Sequence, residues 1–122
     1  MTPYEHSVLS VRDFGGEPEY YLKIHEFLDS TKFQLTDFRH RAILHNPFGI
    51  GLCEQLFGPI TQNNISVREV ARRHIEQDCG GIVPTTQQWL DALCSATHGI
   101  QYNKPLKKDL EYLKTHLYEI DS

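Results

Sequence analysis

The chain has 122 residues, of which 39% are hydrophobic and 23% are charged, and its formal net charge is -4 at pH 7. This length predicts one domain, 1-122, with a single hydrophobic core. The acidic balance argues against nucleic-acid binding, which normally requires an excess of lysine and arginine. Seven histidines are many for a chain of this length, so they are the first candidates for a functional site.

The cysteines and the N-terminal residues predict a cytoplasmic protein. Cys53, Cys79 and Cys94 are odd in number and form no Cys-x-x-Cys motif. The first ten residues lack the apolar core of a signal peptide, and no stretch is long and apolar enough to cross a membrane. We therefore expect reduced thiols packed as small apolar groups, and no membrane partner.

Two helices are predicted in the N-terminal part of the chain. The first covers Pro3–Phe14, and its apolar residues recur every three or four positions, namely Tyr4, Val8, Val11 and Phe14. Gly15-Gly16 ends this helix, and Pro18 opens the next one. The inner face of the second helix is predicted to contain Tyr21, Ile24, His25 and Leu28, so His25 should lie at or beside the core.

A third helix is predicted from about Thr31 to His45, with capping side chains supplied by the run that begins at Asp29. Asp37 and Arg41 stand four residues apart, so this helix would pair them on its surface. Asn46-Pro47 is expected to end it and to start a fourth helix at about Pro47–Phe57, whose one side carries Ile50, Glu54 and Phe57.

The next segment, Pro59–Ile65, is the only strand-like part of the sequence and predicts a small hairpin with its turn at Asn63-Asn64. Ser66 and Glu69 form a capping-box pattern, so a helix should begin there. Its inner row is predicted to be Val67, Val70, Ala71, His74, Ile75 and Asp78. A further helix follows Pro84 and carries Trp89, Leu90 and Leu93.

A last helix is predicted at about 104-120. Its leucines and one isoleucine follow a heptad spacing, at Leu106, Leu110, Leu113, Leu117 and Ile120. This seam would either pack on the rest of the domain or form a homodimer. The fold class expected from all segments is mainly α, a compact bundle of about six helices with at most one small β-hairpin.

Histidines and carboxylates recur on or near the apolar faces of these helices. Helical bundles build metal sites from inward-facing side chains on several helices. The candidate metal ligands are His45, Glu54 and His74, the candidate catalytic residues are His40, His74 and Asp78, and the candidate ligand-binding residues are Arg39, Arg41 and His25. The Asn46-Pro47 break is expected to turn the chain so that His45 and Glu54 face each other.

Each of these residues also has a structural interpretation. A single histidine on an apolar face is more often hydrogen-bonded in a core than bound to a metal. Glu54 could be a buried carboxylate paired with Arg39 or Arg41 in a purely structural network. The sequence contains no His-Glu-x-x-His, Glu-x-x-His or His-Asp motif, which argues against the zincin, di-iron and strict HD-type phosphohydrolase classes.

The segment Asp37-Phe38-Arg39-His40-Arg41-Ala42, followed by His45, resembles an uncharacterised domain family found mostly in phage and bacterial genomes. The likeness covers about 4-93 and includes Tyr21–Lys32, Gly49–Gly58, His74, Asp78 and Pro84-Thr85 before Trp89. Family members often carry a second histidine where this chain has Asn46, which weakens a metal interpretation. The resemblance implies a small helical protein of a phage or mobile element, located in the host cytoplasm, and it implies no activity.

Two functions fit the candidate residues. In the first, the site binds a phosphate-containing small molecule and hydrolyses it with a divalent Zn, Mn, Fe or Ni ion that activates a water, while Arg39 or Arg41 holds the phosphate. In the second, the protein is a non-catalytic phage anti-defence protein that sequesters a host nucleotide signal or binds a host defence protein. A third interpretation is a structural polar network in a protein that functions through its surface.

Overall fold

The computed structural model describes the backbone of residues 1–96 and the side chains of residues 1–92. The described part contains no β-strand, so the mainly α prediction is confirmed. Its helices are α1 (Pro3–Phe14), α2 (Glu19–Asp29), two 3-10 helices (Ser30–Phe33 and Phe38–His40), α3 (Arg41–Leu44), α4 (Pro47–Phe57), α5 (Val67–Asp78) and α6 (Thr86–Ala96).

The chain divides into two compact units, Met1–Trp89 and Leu90–Ser122. The hydrophobic core and the helices α1 to α5 lie within the first unit. The heptad helix predicted at about 104-120 lies outside the described residues, so both it and the homodimer remain predictions. No helix in the described part is long and apolar enough to cross a membrane.

The predicted apolar row of α1 is confirmed only in its second half: Val11 and Phe14 pack against the core, but the fully buried residues of this helix are polar. Tyr4 and Val8 are 59% and 46% exposed, whereas His6, Ser7 and Ser10 are buried. The serine hydroxyls donate to carbonyls one turn earlier in the helix, so they are satisfied without solvent. Because serine is small, this face allows α1 to pack closely along α2. The residues of α1 that face α2 are therefore mostly polar.

The helix predicted at Thr31–His45 is also wrong, because the chain forms two short 3-10 turns and the four-residue α3 there. Asp37 begins a new turn as its cap, with its carboxylate accepting from the Arg39 backbone N–H at 3.0 Å. The Asp37 side chain also pairs with the Arg39 guanidinium at 2.8 Å, so the predicted Asp37–Arg41 pair does not form. Local capping by an aspartate therefore replaced a longer helix.

The junction of α3 and α4 brings two backbone segments unusually close together. The Asn46 side chain caps α4 by accepting from the Gly49 N–H at 3.0 Å and donates to the Ala42 carbonyl at 3.0 Å. A Cβ placed on Gly49 would lie 1.7 Å from the Leu44 carbonyl oxygen, so only glycine fits. His45 lies at this sharp turn, and its side chain is fully buried.

In place of the predicted hairpin, the segment before α5 contains only an isolated bridge between Ile60 and Ser66. The predicted inner row of α5 is buried except for its last residue, Asp78, which is partly buried. The hydrophobic core lies between α2, α4 and α5 and consists of Tyr21, Ile24, Leu28, Leu44, Ile50, Cys53, Val67, Val70, Ala71 and Ile75. Burial raises the pKa of Cys53 to about 12, as expected for a packed, protonated thiol.

Candidate metal centre

Four side chains from three parts of the fold meet beside this core. Asp29 is the last residue of α2, His45 follows α3, and His74 and Asp78 stand one turn apart on α5. One donor atom from each of the four lies within 4.8 Å of the other three. Their side chains are at most 5% exposed. This set, called the four-donor cluster below, could hold a metal ion.

The four histidine–carboxylate distances within the four-donor cluster are close to those expected around a tetrahedral ion. His45 Nε2 lies 2.9 Å from Asp78 Oδ2 and 3.9 Å from Asp29 Oδ1. His74 Nε2 lies 3.2 Å from Asp29 Oδ1 and 3.3 Å from Asp78 Oδ2. Bonds of about 2.0–2.1 Å in a tetrahedron separate the donors by about 3.3 Å. The observed distances fall on both sides of this value, so small side-chain adjustments would complete the coordination.

The charges of the cluster are set by burial and by the two carboxylates. Burial alone would raise the pKa of Asp78, but contacts with His45, His6 and His74 hold it below its ordinary value. Burial would also raise the pKa of Asp29, and His74 lowers it. Although burial disfavours its charged form, hydrogen bonds to both carboxylates raise the pKa of His74. Without a metal, the cluster therefore favours two carboxylates with a proton held by His74.

At two neighbouring histidines, His45 and His25, burial outweighs the carboxylates and the pKa is lowered. Burial lowers the pKa of His45 despite the hydrogen bond to Asp78. Burial, followed by the proximity of His74 and His6, lowers the pKa of His25 to about 2. These two rings are therefore neutral at physiological pH, which is the form in which imidazole binds metal ions.

A second group of nearby donors, His6, His25 and His74, is less suited to a metal. The ring of His6 stacks on His74 with centroids 3.8 Å apart and planes at 27°, and His25 and His74 are inclined by 20°. The lone pair of an imidazole nitrogen lies in the ring plane, so nearly parallel rings do not point at one ion. His45 and His74, in contrast, meet at 68°, which allows their lone pairs to converge.

Two side chains fix the backbone that carries the donors. The indole Nε1 of Trp89 donates to the His45 carbonyl at 2.8 Å. Nη1 of Arg41 donates to the Asp78 carbonyl at 3.0 Å. Arg41, which was predicted to bind ligand directly, thus supports the C-terminal end of α5 instead.

Buried polar atoms without a hydrogen bond concentrate at this place. In the described part of the chain, these atoms are His6 Nε2, Asp29 Oδ2, Arg41 Nε and His45 Nδ1. Each belongs to the cluster or to a residue that contacts it, and His6 Nε2 lies 3.2 Å from Asp78 Oδ1. An Arg41 N–H can only donate and so cannot bind a cation, whereas a carboxylate oxygen of Asp29 can. The fit of a cation therefore rests on the two carboxylates and two imidazoles of the four-donor cluster.

The structure brings together three predicted site residues, His45, His74 and Asp78. His25 lies against the cluster, with its Nδ1 2.8 Å from His74 Nδ1. His40 packs edge-on against the His45 ring at 5.9 Å, while its Nδ1 lies 3.1 Å from the Thr31 hydroxyl. His40 is therefore a neighbour of the cluster and supplies no donor atom to it.

Two other predicted residues lie elsewhere. The Glu54 side chain is 39% exposed, with its nearest ion-pair partner, Arg68, at 3.7 Å, and it belongs to neither group of donor atoms. The prediction that Glu54 joins His45 and His74 is therefore wrong, because Glu54 lies half-buried at the edge of the core-facing side of α4 and its carboxylate is near Arg68. The Arg39 side chain is exposed and forms an ion pair with Asp37, so it is not part of the cluster.

Asp29 and His6 were missed in the sequence. Asp29 was interpreted only as a helix cap, although it stands four residues after His25 on the inner side of α2. The same His-x-x-x-Asp spacing recurs at His74 and Asp78 on α5, and this repetition was the available signal. His6 stands outside the apolar row of α1, so helical periodicity gave no reason to expect its burial.

Residues 1–98 match a family described as a domain of unknown function, DUF6915. The chain belongs to this family. The matched range contains every residue of the four-donor cluster together with His6 and His25. No curated protein and no solved structure matches the chain. Because the function of this family is unknown, membership in it assigns no activity to the chain.

Proposed function

We propose that this DUF6915 protein binds one divalent transition-metal ion at Asp29, His45, His74 and Asp78. The observation that carries the proposal is the convergence of four buried donors at tetrahedral spacing. Two carboxylates and two neutral imidazoles carry a charge of -2, which a divalent ion balances. Oxygen and imidazole ligands without thiolate suit Zn, Mn, Fe or Ni better than Cu(I).

The activity we propose for this ion is hydrolysis of a phosphate-containing small molecule. Structural zinc sites are usually rich in cysteine, whereas histidine and carboxylate ligands are typical of catalytic zinc. A bound ion supplies a Lewis acid and a water of lowered pKa. Turnover would need one position of the ion to open, because all four side chains are nearly inaccessible to solvent.

The burial of all four ligands favours a second candidate function, in which the ion is structural. An ion closed off by four protein ligands would act as a structural element and would stabilise the fold. The protein would then function through its surface, for example as a phage or mobile-element product that binds a host defence protein or a nucleotide signal.

Metal analysis of protein purified without a histidine tag tests the ion. We expect one equivalent of metal in the wild type, none in Asp29→Asn, and a full equivalent in Glu54→Gln, which is the matched acidic control. Metal-free wild type, which also fails to take up Zn²⁺ or Mn²⁺ during dialysis, would contradict the proposal.

Hydrolysis is tested separately with p-nitrophenyl phosphate and bis-p-nitrophenyl phosphate. We expect turnover by the metal-loaded wild type that is lost in Asp29→Asn and retained in Glu54→Gln. Stoichiometric metal without turnover on either ester, together with a large fall in melting temperature on chelation, would favour the structural ion.

A further inference from the structure

A chain of hydrogen bonds runs from α1 through α2 to the metal centre. Ser10 Oγ lies 2.8 Å from His25 Nε2, and His25 Nδ1 lies 2.8 Å from His74 Nδ1. All three side chains are at most 2% exposed, so water does not compete with these bonds. Each member can therefore be assigned a donor or acceptor role from its neighbours.

The Ser10 hydroxyl donates to the His6 carbonyl at 3.1 Å, which is the same bond to the carbonyl four residues earlier that Ser7 makes to Pro3 at 2.9 Å. The Ser10 oxygen must then accept a proton from His25 Nε2. A neutral His25 carries only that one proton, which leaves its Nδ1 as an acceptor.

The next bond follows from this. Because His25 Nδ1 accepts, His74 must carry its own proton on Nδ1 and donate it to His25. The other nitrogen of His74, Nε2, faces Asp29 and Asp78 at 3.2 and 3.3 Å. In the metal-free protein a second proton on this nitrogen is donated to the carboxylates, and a bound metal ion would take the place of that proton.

We infer that Ser10 and His25 are positioning residues of the metal centre, which fix His74 in the tautomer whose Nε2 lone pair points into the four-donor cluster. This inference rests on the proposed metal binding and goes beyond it by assigning roles to two residues that supply no donor. Metal-bound histidines commonly donate their second N–H to an acceptor that holds ring and tautomer in place. Here a second histidine, itself held by a serine, fills the position usually taken by a carboxylate or carbonyl.

Ser7 provides a closely matched control for Ser10. Both serines are buried on α1, and each donates its hydroxyl proton to the carbonyl four residues earlier. They differ in that Ser10 also contacts His25. We expect Ser10→Ala to lower the Zn²⁺ affinity by about 10- to 100-fold, and Ser7→Ala to leave it unchanged, in a chelator competition.

Substitutions of His25 separate positioning from packing. His25→Asn retains an acceptor oxygen close to the former Nδ1 and should preserve most of the Zn²⁺ affinity. His25→Leu fills similar space without an acceptor and should lose affinity by about 10- to 100-fold. Equal affinities for these two variants, or for the two serine variants, would overturn the inference.

Nitrogen-15 NMR of the histidine rings measures the tautomers directly. In the metal-free protein we expect His25 to carry its proton on Nε2, and in the Zn²⁺ form we expect His74 to carry its proton on Nδ1. Wild type without Zn²⁺ binding would overturn the proposed function together with this role. Zn²⁺ bound with the opposite tautomer at His74 would overturn the positioning role alone.

Discussion

Helices α2 and α5 each carry a histidine and an aspartate four residues apart, yet they use the pair differently. On α5, both His74 and Asp78 point their donors into the cluster. On α2, only Asp29 does so, while His25 lies between Ser10 and His74. The same local spacing thus yields two ligands on one helix and one ligand plus one supporting side chain on the other.

The difference shows that helical spacing alone does not define a ligand pair. Spacing of four residues places two side chains on one face, but neighbouring helices decide what each nitrogen meets. His74 is opposed by two carboxylates, which raise its pKa. Burial, together with the neighbouring imidazoles of His74 and His6, lowers the pKa of His25 and keeps it neutral.

The largest expected effect is at Asp78, the carboxylate shared by three histidines. Asp78→Asn should abolish stoichiometric zinc binding and lower the free energy of unfolding of the metal-free protein by about 3–5 kcal/mol, because it breaks the buried charge pair with His74 and the contacts with His45 and His6. Zinc titration and urea denaturation measure the two effects. Asp29→Asn should also abolish zinc binding but destabilise the metal-free protein less, since its contacts with Lys32 and His45 are longer, at 3.7 and 3.9 Å.

Equal destabilisation by the two asparagine variants would show that the α2 and α5 carboxylates contribute alike. Full zinc binding by Asp78→Asn would contradict the assignment of α5 as the helix that donates both ligands.

Metal removal is expected to have the next largest effect. Zinc at a hundred times its dissociation constant should stabilise the folded protein by about 2.7 kcal/mol, since the unfolded chain lacks the site. For a small domain, this corresponds to a rise in melting temperature of roughly 10–20 °C. Differential scanning fluorimetry with zinc or with a chelator measures the shift. An identical rise in Asp29→Asn would place the binding of zinc elsewhere.

The contrast between His25 and His74 also predicts how stability depends on pH. In the metal-free protein, the folded-state pKa of His25 is about 2, against an ordinary value of 6.5. Below pH 6.5, His25 binds a proton in the unfolded chain but not in the folded protein. The free energy of unfolding therefore decreases as the pH falls. The pKa of His74 is raised in the folded protein. Its contribution to the free energy of unfolding is therefore complete below pH 6.5 and is lost as the pH rises through its folded-state pKa.

The experiment compares urea denaturation at pH 7, 6 and 5 in the presence of a chelator. His25→Asn should make the dependence shallower by up to about 1.4 kcal/mol per pH unit, the value for one proton. Ser7→Ala, which removes no titrating group, should keep the wild-type slope. Parallel curves for wild type and His25→Asn would show that His25 is not held neutral in the folded protein.

Much of the site was accessible from the sequence because it lies on regular helices. The inner row of α5 placed His74 and Asp78 correctly, and the Asn46-Pro47 break located the turn that presents His45. The errors came from competing local interactions. Asp37 capped a short turn in place of continuing a helix, and small serines made a polar face of α1 the inner one.

Asp29 illustrates a different difficulty. A carboxylate at a helix end is usually explained by capping, and only the packing of α2 on α5 brings this one to His74. The choice between Asp29 and Glu54 as the acidic ligand depends on how helices rotate against each other, which periodicity within one helix does not determine.

The smallest effect is therefore expected at Glu54. Its pair with Arg68 is partly exposed, so Glu54→Gln should change the free energy of unfolding by no more than about 0.5 kcal/mol. Zinc affinity should stay at the wild-type value in the same chelator competition. A clear loss of zinc affinity would restore the sequence-based choice of Glu54 over Asp29.

Anomalous X-ray diffraction at the zinc edge, from crystals of the zinc-loaded wild type, tests the central claim most directly. We predict one strong peak about 2.0–2.2 Å from Asp29, His45, His74 and Asp78. A peak bound only by other residues, or no peak at the four-donor cluster at full zinc loading, would contradict the account.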